Sequence, residues 1–248
     1  MRLAYTRTLA RPNYFYVTPY LYVDPDGEEM QQGDPDLRPT TSHNLDFMFE
    51  HYFQRIGVFA FGMFYKNLAD IIYVRESKVA GGVYDDFDLE MPINGGDATL
   101  YGFEIAWNQE LTFLPGFLSG FGVYANYTHT WASTDIGGRE DFLPGQAGDM
   151  ANLSLFFDKY GFSIRASAMY QSAFLTTIGK NETWDEWQDK HWQFDLTATY
   201  DILSWLKVYV SGVNLGNAPD YEYFGVNRRP KQNEYYGWWA KGGFKISL

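Results

Sequence analysis

The chain contains no cysteine. That removes a disulfide framework and any thiolate metal site. It also lacks a long apolar run: the longest, residues 56–65, is half of what a membrane-crossing helix needs, about 20 residues. A strand crosses a bilayer in about 9–11 residues, so the same run is long enough for that. Positive charge is scarce. Nineteen Lys and Arg face 31 Asp and Glu, a net charge of −12 that excludes the basic footprint of a nucleic-acid binder. The N-terminal "MRLAYTRTLARP" has no apolar core of the kind a secretion signal carries.

Aromatic residues, by contrast, are abundant: 20 Tyr, 20 Phe and 8 Trp, 19% of the chain. Mean hydropathy is nevertheless −0.35. Many aromatics within a hydrophilic average is what alternating strands and polar loops produce, and membrane barrels carry aromatic girdles at both interfaces.

Alternation is explicit in "LDFMFEHYF" (45–53). Leu45, Phe47, Phe49 and Phe53 fall on one face of an extended chain, and Asp46, Glu50 and Tyr52 on the other. Ten such strands are predicted, at about 2–10, 44–53, 58–68, 99–112, 121–132, 150–157, 162–171, 191–200, 205–214 and 235–247. The connections alternate without exception: five long ones (11–43, 69–98, 133–149, 172–190, 215–234) and four short ones (54–57, 113–120, 158–161, 201–204). Most acidic residues crowd the long connections, Asp24 to Asp36 and Asp85 to Asp97 above all.

Short turns at one end and long loops at the other are the plan of an antiparallel up-and-down transmembrane β-barrel. Several strands also place Trp or Tyr near the ends of their apolar face, suited to a lipid–water boundary. The polar face then lines a lumen, and the candidates there are Asp46, Glu50, Glu104, Asn126, Arg165 and Asp195. Pairing across the wall is the expected role of Arg165 and Asp195.

Enzymatic motifs are missing. His43, His51, His129 and His191 show no metal-ligand spacing, "GFLSGFG" (116–122) lacks the Lys-Ser/Thr ending of a phosphate loop, and no nucleophile elbow occurs. No catalytic residue, metal site or cofactor is expected. "DPDGEE" (24–29) lacks the later ligands of a calcium loop and reads as a turn. The acceptor-like triplets at Asn126, Asn152 and Asn181 read as chance, two of them lying in predicted strands.

Two long loops carry candidate ligand-binding residues. "NETWDEWQDKHW" (181–192) sets Trp184 and Trp187 beside Glu182, Asp185 and Glu186; the last loop holds Tyr221, Tyr223, Phe224, Arg228 and Arg229. Exposed aromatics beside hydrogen-bonding groups suit stacking on a sugar ring or an aromatic chelator. Packing of loop against loop accounts for the same residues.

A set of segments in the same order resembles the C-terminal barrel of TonB-dependent outer-membrane receptors. They include "GDPDLRPTTSHNLDFMFEHYF" (33–53), "MFYKNLADII" (63–72), "INGGDATLYGFEIAWNQEL" (93–111), "LPGQAGDMANLSLFFDKYGFSIRASAMY" (143–170) and "SGVNLGNAP" (211–219), followed by a last strand, "YYGWWAKGGFKISL", that ends on its apolar face with Leu248. The resemblance implies a 22-stranded barrel filled by an N-terminal plug, of which this chain would supply the last ten strands. No segment resembles the plug or the TonB-contacting box, so the expectation is a partial barrel over 1–248. Its partners would be outer-membrane lipid, the missing N-terminal barrel half and plug, the TonB complex and a small-molecule ligand. The function implied is import of a scarce extracellular ligand (a ferric siderophore, a glycan fragment or a corrinoid) across the outer membrane of a Gram-negative bacterium. Two other readings stand beside it: a small passive pore complete with ten strands, and a soluble carbohydrate-binding β-sandwich.

Overall fold

A computed structural model describes residues 1–53, 57–136, 139–141, 143–179 and 181–247. Ten strands form one antiparallel sheet in strict chain order: β1 (Arg2–Ala10), β2 (Thr40–Tyr52), β3 (Gly57–Ala69), β4 (Ala98–Glu110), β5 (Phe121–Ile136), β6 (Asp149–Lys159), β7 (Phe162–Gln171), β8 (His191–Leu203), β9 (Leu206–Val213) and β10 (Trp239–Ile246). A short strand, Arg139–Asp141, adds to β5. Each predicted strand has its counterpart. The barrel is not closed: among the described residues β1 pairs only with β2, and β10 only with β9. Leu248 and part of the 54–57 turn lie outside the described residues.

Register carries each face across the wall. Leu3, Phe47, Met63 and Phe103 stand opposite one another, as do Trp107, Ala125, Leu153, Ala168 and Phe194. The row one residue away reads Ala4, Asp46, Phe64, Gly102 and Thr130. Because side chains alternate at every residue, one apolar and one polar face result. The apolar face is not a core: Leu45 is 47% exposed, Leu155 56% and Val210 54%. Rings band both of its ends, with Tyr101 stacked on Trp131 and Tyr170 against Trp192 at the loop end, and Phe121 against Phe157 at the turn end. Polar groups interrupt this face, Arg7, His43 and Asn67 in one row of it. Asp149, first residue of β6, accepts from the Tyr127 hydroxyl at 2.6 Å and lies 2.6 Å from His129 Nδ1, beside Phe103 and Trp131.

The short turns are built by local chemistry. Tyr160 and Gly161 both have positive φ (59° and 74°), the two-residue turn whose twist suits a hairpin, between β6 and β7. The 113–120 connection contains a 3-10 turn, Gly116–Gly120.

Four of the long connections, loops by sequence, contribute strands to two further sheets. Leu21–Asp24, Glu29–Gln32, Asp88–Gly95 and Ile71–Lys78 form a four-stranded sheet, joined by a parallel ladder between Met30 and Leu89. Phe174–Thr177, Glu186–Gln188, Asp220–Phe224 and Pro230–Glu234 form another. "DPDGEE" is indeed a turn: Asp24 Oδ1 accepts from the N–H groups of Asp26 and Gly27. Buried apolar side chains gather where the wall meets these sheets, as in the cluster Ile71, Ala98 and Leu100 with Leu68, Ala132 and Leu143.

Candidate functional site

The two aromatic loops come together. Glu186–Gln188 pairs with Asp220–Phe224, which sets Trp187 opposite Tyr223 with rings 6.4 Å apart and 4° from parallel. Trp184 packs edge-on against Phe224 at 5.6 Å, and the Arg229 guanidinium lies over the Trp184 ring at 5.1 Å. Arg229 also donates to the Thr183 carbonyl (2.5 Å). Tyr221 donates to the Asn227 carbonyl and flanks Tyr223.

These residues divide by exposure. Asp185 is only 4% exposed and accepts from the Gly179 N–H, so it holds the loop in shape. Tyr223 is buried, and burial, then Asp189, pushes its phenol above the ordinary range. Trp184 is 44% exposed; Glu182, Arg228 and Arg229 are exposed as well. Asn181 caps the short 3-10 turn Glu182–Trp184 by accepting from the Thr183 N–H. Lys231 bridges two strands of this sheet, 2.8 Å from Glu186 and 3.0 Å from Glu222. Burial alone would lower its ammonium pKa, but hydrogen bonds to the two carboxylates outweigh burial and hold it above the usual value.

Asp46, Glu50, Glu104, Asn126, Arg165 and Asp195 share the polar face by register. Glu50 pairs with Arg2 at 3.0 Å, and Asn126 accepts from the Asn152 amide at 3.0 Å. Arg165 and Asp195 do not pair with each other. Arg165 stands opposite Phe156 and Thr197 and stacks on the Phe156 ring at 4.9 Å. Asp195 stands opposite Ser167, and it accepts from the Gln193 amide and the Asn214 N–H. A two-residue offset in register between these adjacent strands, not charge, decides this.

Where the second loop sheet meets the tops of β7 to β10, a cavity of about 510 Å³ opens. Its polar lining comes from Gln171, Gln188, His191, Gln193, Asn214 and Asp220. Phe174, Tyr236 and Trp239 add aromatic surface. Sequence reasoning missed this group. The available signal was the amide-rich alternation of Gln171, His191 and Gln193 on the polar face; what could not be read was the fold-back of 174–188 and 220–234 over it.

The family model described as TonB dependent receptor-like, beta-barrel matches residues 1–215. A search of curated protein sequences returned no match. Among solved structures, the ferric enterobactin receptor PfeA of Pseudomonas aeruginosa in complex with enterobactin is similar at 15% identity and TM-score 0.68, over 99% of this chain and 38% of that one. The ferric-catecholate import receptor Fiu of E. coli K12 is similar at 14% identity and TM-score 0.65, over 98% of this chain and 32% of that one. The copper transporter OprC is similar at 14% identity and TM-score 0.65, over 99% and 36%. The chain thus spans about a third of the length of these receptors. With the family model covering most of the chain and the ten-stranded wall matching part of those barrels, the chain belongs to the TonB-dependent receptor-like β-barrel family.

Proposed function

We propose that this chain is the C-terminal part of the wall of an outer-membrane receptor that captures an extracellular ligand and imports it with energy delivered by the TonB complex. The observation that carries this reading is the pairing of an exposed apolar face, banded by rings at both ends, with ordered loop sheets at one end only. In lipid the apolar face needs no partner, whereas in water it would be a very large exposed patch. The polar face then fronts a lumen and a plug. The open ladders of β1 and β10 are the seams for the rest of the barrel, since an unpaired strand edge in hydrocarbon costs several kcal/mol per backbone group.

The loop sheets supply the capture surface, with Trp184 and Arg229 at its exposed rim. No covalent chemistry is required of the chain. Among the described residues no group of three or more His, Cys, Asp or Glu is placed to hold a metal ion. The test is fractionation and uptake. The receptor carrying this chain should sediment with the outer membrane, and ligand accumulation should stop when the energy-coupling complex is deleted. Accumulation that survives the deletion would support a passive pore instead.

A further inference from the structure

We propose that the cavity beneath the second loop sheet takes a neutral, polyhydroxylated ligand of the saccharide class; this rests on the receptor reading above. Four of its side chains are amides: Gln171, Gln188, Gln193 and Asn214. An amide offers a donor and an acceptor side by side, which matches neighbouring sugar hydroxyls that each give and take a hydrogen bond.

Some of that capacity is already used to fix the groups in place. The Gln188 amide donates to Asp220 Oδ1 at 2.9 Å and the Gln193 amide to Asp195 at 3.1 Å. Asn214 donates to the Gly237 carbonyl and accepts from the Ala218 N–H. Those bonds leave the Gln188 and Gln193 carbonyl oxygens for a ligand. Gln171 and His191 stand opposite each other in register, and neither side chain has a hydrogen bond among the described residues.

Charge argues the same way. Among the described residues, Asp220 is the only carboxylate lining the cavity, and no Lys or Arg lines it. An anionic chelate or phosphate calls for guanidinium or ammonium partners. Three cations of this end are engaged: Arg229 on Trp184, Lys231 between Glu186 and Glu222, and Lys241 over the Trp239 ring at 5.4 Å, while Lys190 and Arg228 are exposed to solvent. A neutral ligand keeps Asp220 as an acceptor for hydroxyls. Phe174, Tyr236 and Trp239 add the apolar surface on which a sugar ring's C–H face can lie. The volume of about 510 Å³ falls within the range of small-ligand pockets, about 300–1,000 Å³.

The test is calorimetry on the detergent-purified receptor that carries this chain. The probes are neutral gluco-, xylo-, manno-, galacto- and chito-oligosaccharides, with ferric enterobactin as the anionic counter-probe. At least one neutral oligosaccharide should bind, and its affinity should barely change with salt. Gln171→Leu and Trp239→Ala, checked for wild-type heat-modifiable migration, should each weaken it about tenfold, the order expected for one hydrogen bond or one stacking face. No saccharide binding, or saccharide binding indifferent to both substitutions, overturns the proposal. Ferric enterobactin uptake driven by TonB without saccharide binding overturns it while leaving the receptor reading intact. Saccharide binding without TonB-dependent uptake does the reverse.

Discussion

Phe156 lies directly across from Gly122, and its ring occupies the space a side chain there would fill. A Cβ on Gly122 would stand 2.1 Å from the ring's Cζ. Arg165 lies over the same ring. Gly102 beneath Phe64 repeats the arrangement on the polar face. Small residue and ring are therefore one packing unit between neighbouring strands. Gly122→Leu should displace Phe156, release Arg165 and cost about 1–3 kcal/mol by overpacking. The check is a drop in the unfolding temperature of the purified receptor, read by heat-modifiable migration, with Gly116→Leu near the exposed turn as a turn-strain comparison.

Asn94 joins three segments far apart in sequence. Its side-chain amide donates to the Arg38 and Asp70 carbonyls, and its Oδ1 accepts from the Arg38 N–H. Arg38 in turn pairs with Asp70. Asn94→Ala removes all three bonds at once and leaves backbone groups without partners, at about 1–3 kcal/mol. Limited proteolysis should then cut within 11–39 several times faster, while the wall strands stay protected.

Asp185 should behave as a structural residue rather than a ligand contact. Asp185→Ala orphans the Gly179 N–H, and hydrogen exchange across 174–188 should accelerate about tenfold. Glu182→Ala, at an exposed position, should leave exchange unchanged. Equal effects from the two would contradict the division of these residues by exposure.

Lys231 carries a pH signature. Its folded-state pKa is raised, so the stabilisation it brings is complete below the ordinary value of 10.5 and is lost as pH rises through the folded value. With about a third of the side chain exposed, the gain is on the order of 1 kcal/mol or less. Hydrogen exchange in 220–234 should be unaffected by that group between pH 6 and 9, after correction for intrinsic rates. Lys231→Met should abolish the loosening that wild type shows above about pH 10.5.

The wall was legible because lipid imposes a strict rule on it. Leu45, Phe47 and Phe49 alternate with Asp46 and Glu50 because one face must be apolar along its whole height, and a period of two survives in sequence. The loop sheets obey no such rule. Trp187 meets Tyr223, and Met30 meets Leu89, through pairings between segments remote in sequence, and Asp185 is buried by a fold-back that its neighbours do not announce. The contact of His129 with Asp149 is not legible for a related reason: both sit on the apolar face, where the alternation predicts no hydrogen-bonded pair, and only the register of β5 with β6 brings them together.

The central claim is which face of the wall meets lipid, and paired spin labels test it most directly. This chain offers no cysteine of its own, so Leu45→Cys, Asp46→Cys, Phe47→Cys and Glu50→Cys can each be labelled in the receptor, cleared of any cysteine elsewhere, in native outer membranes. The account predicts that labels at 45 and 47 collide with oxygen dissolved in lipid, and that labels at 46 and 50 collide instead with a water-soluble nickel chelate. Equal access of the chelate to all four, or the opposite alternation, would contradict it.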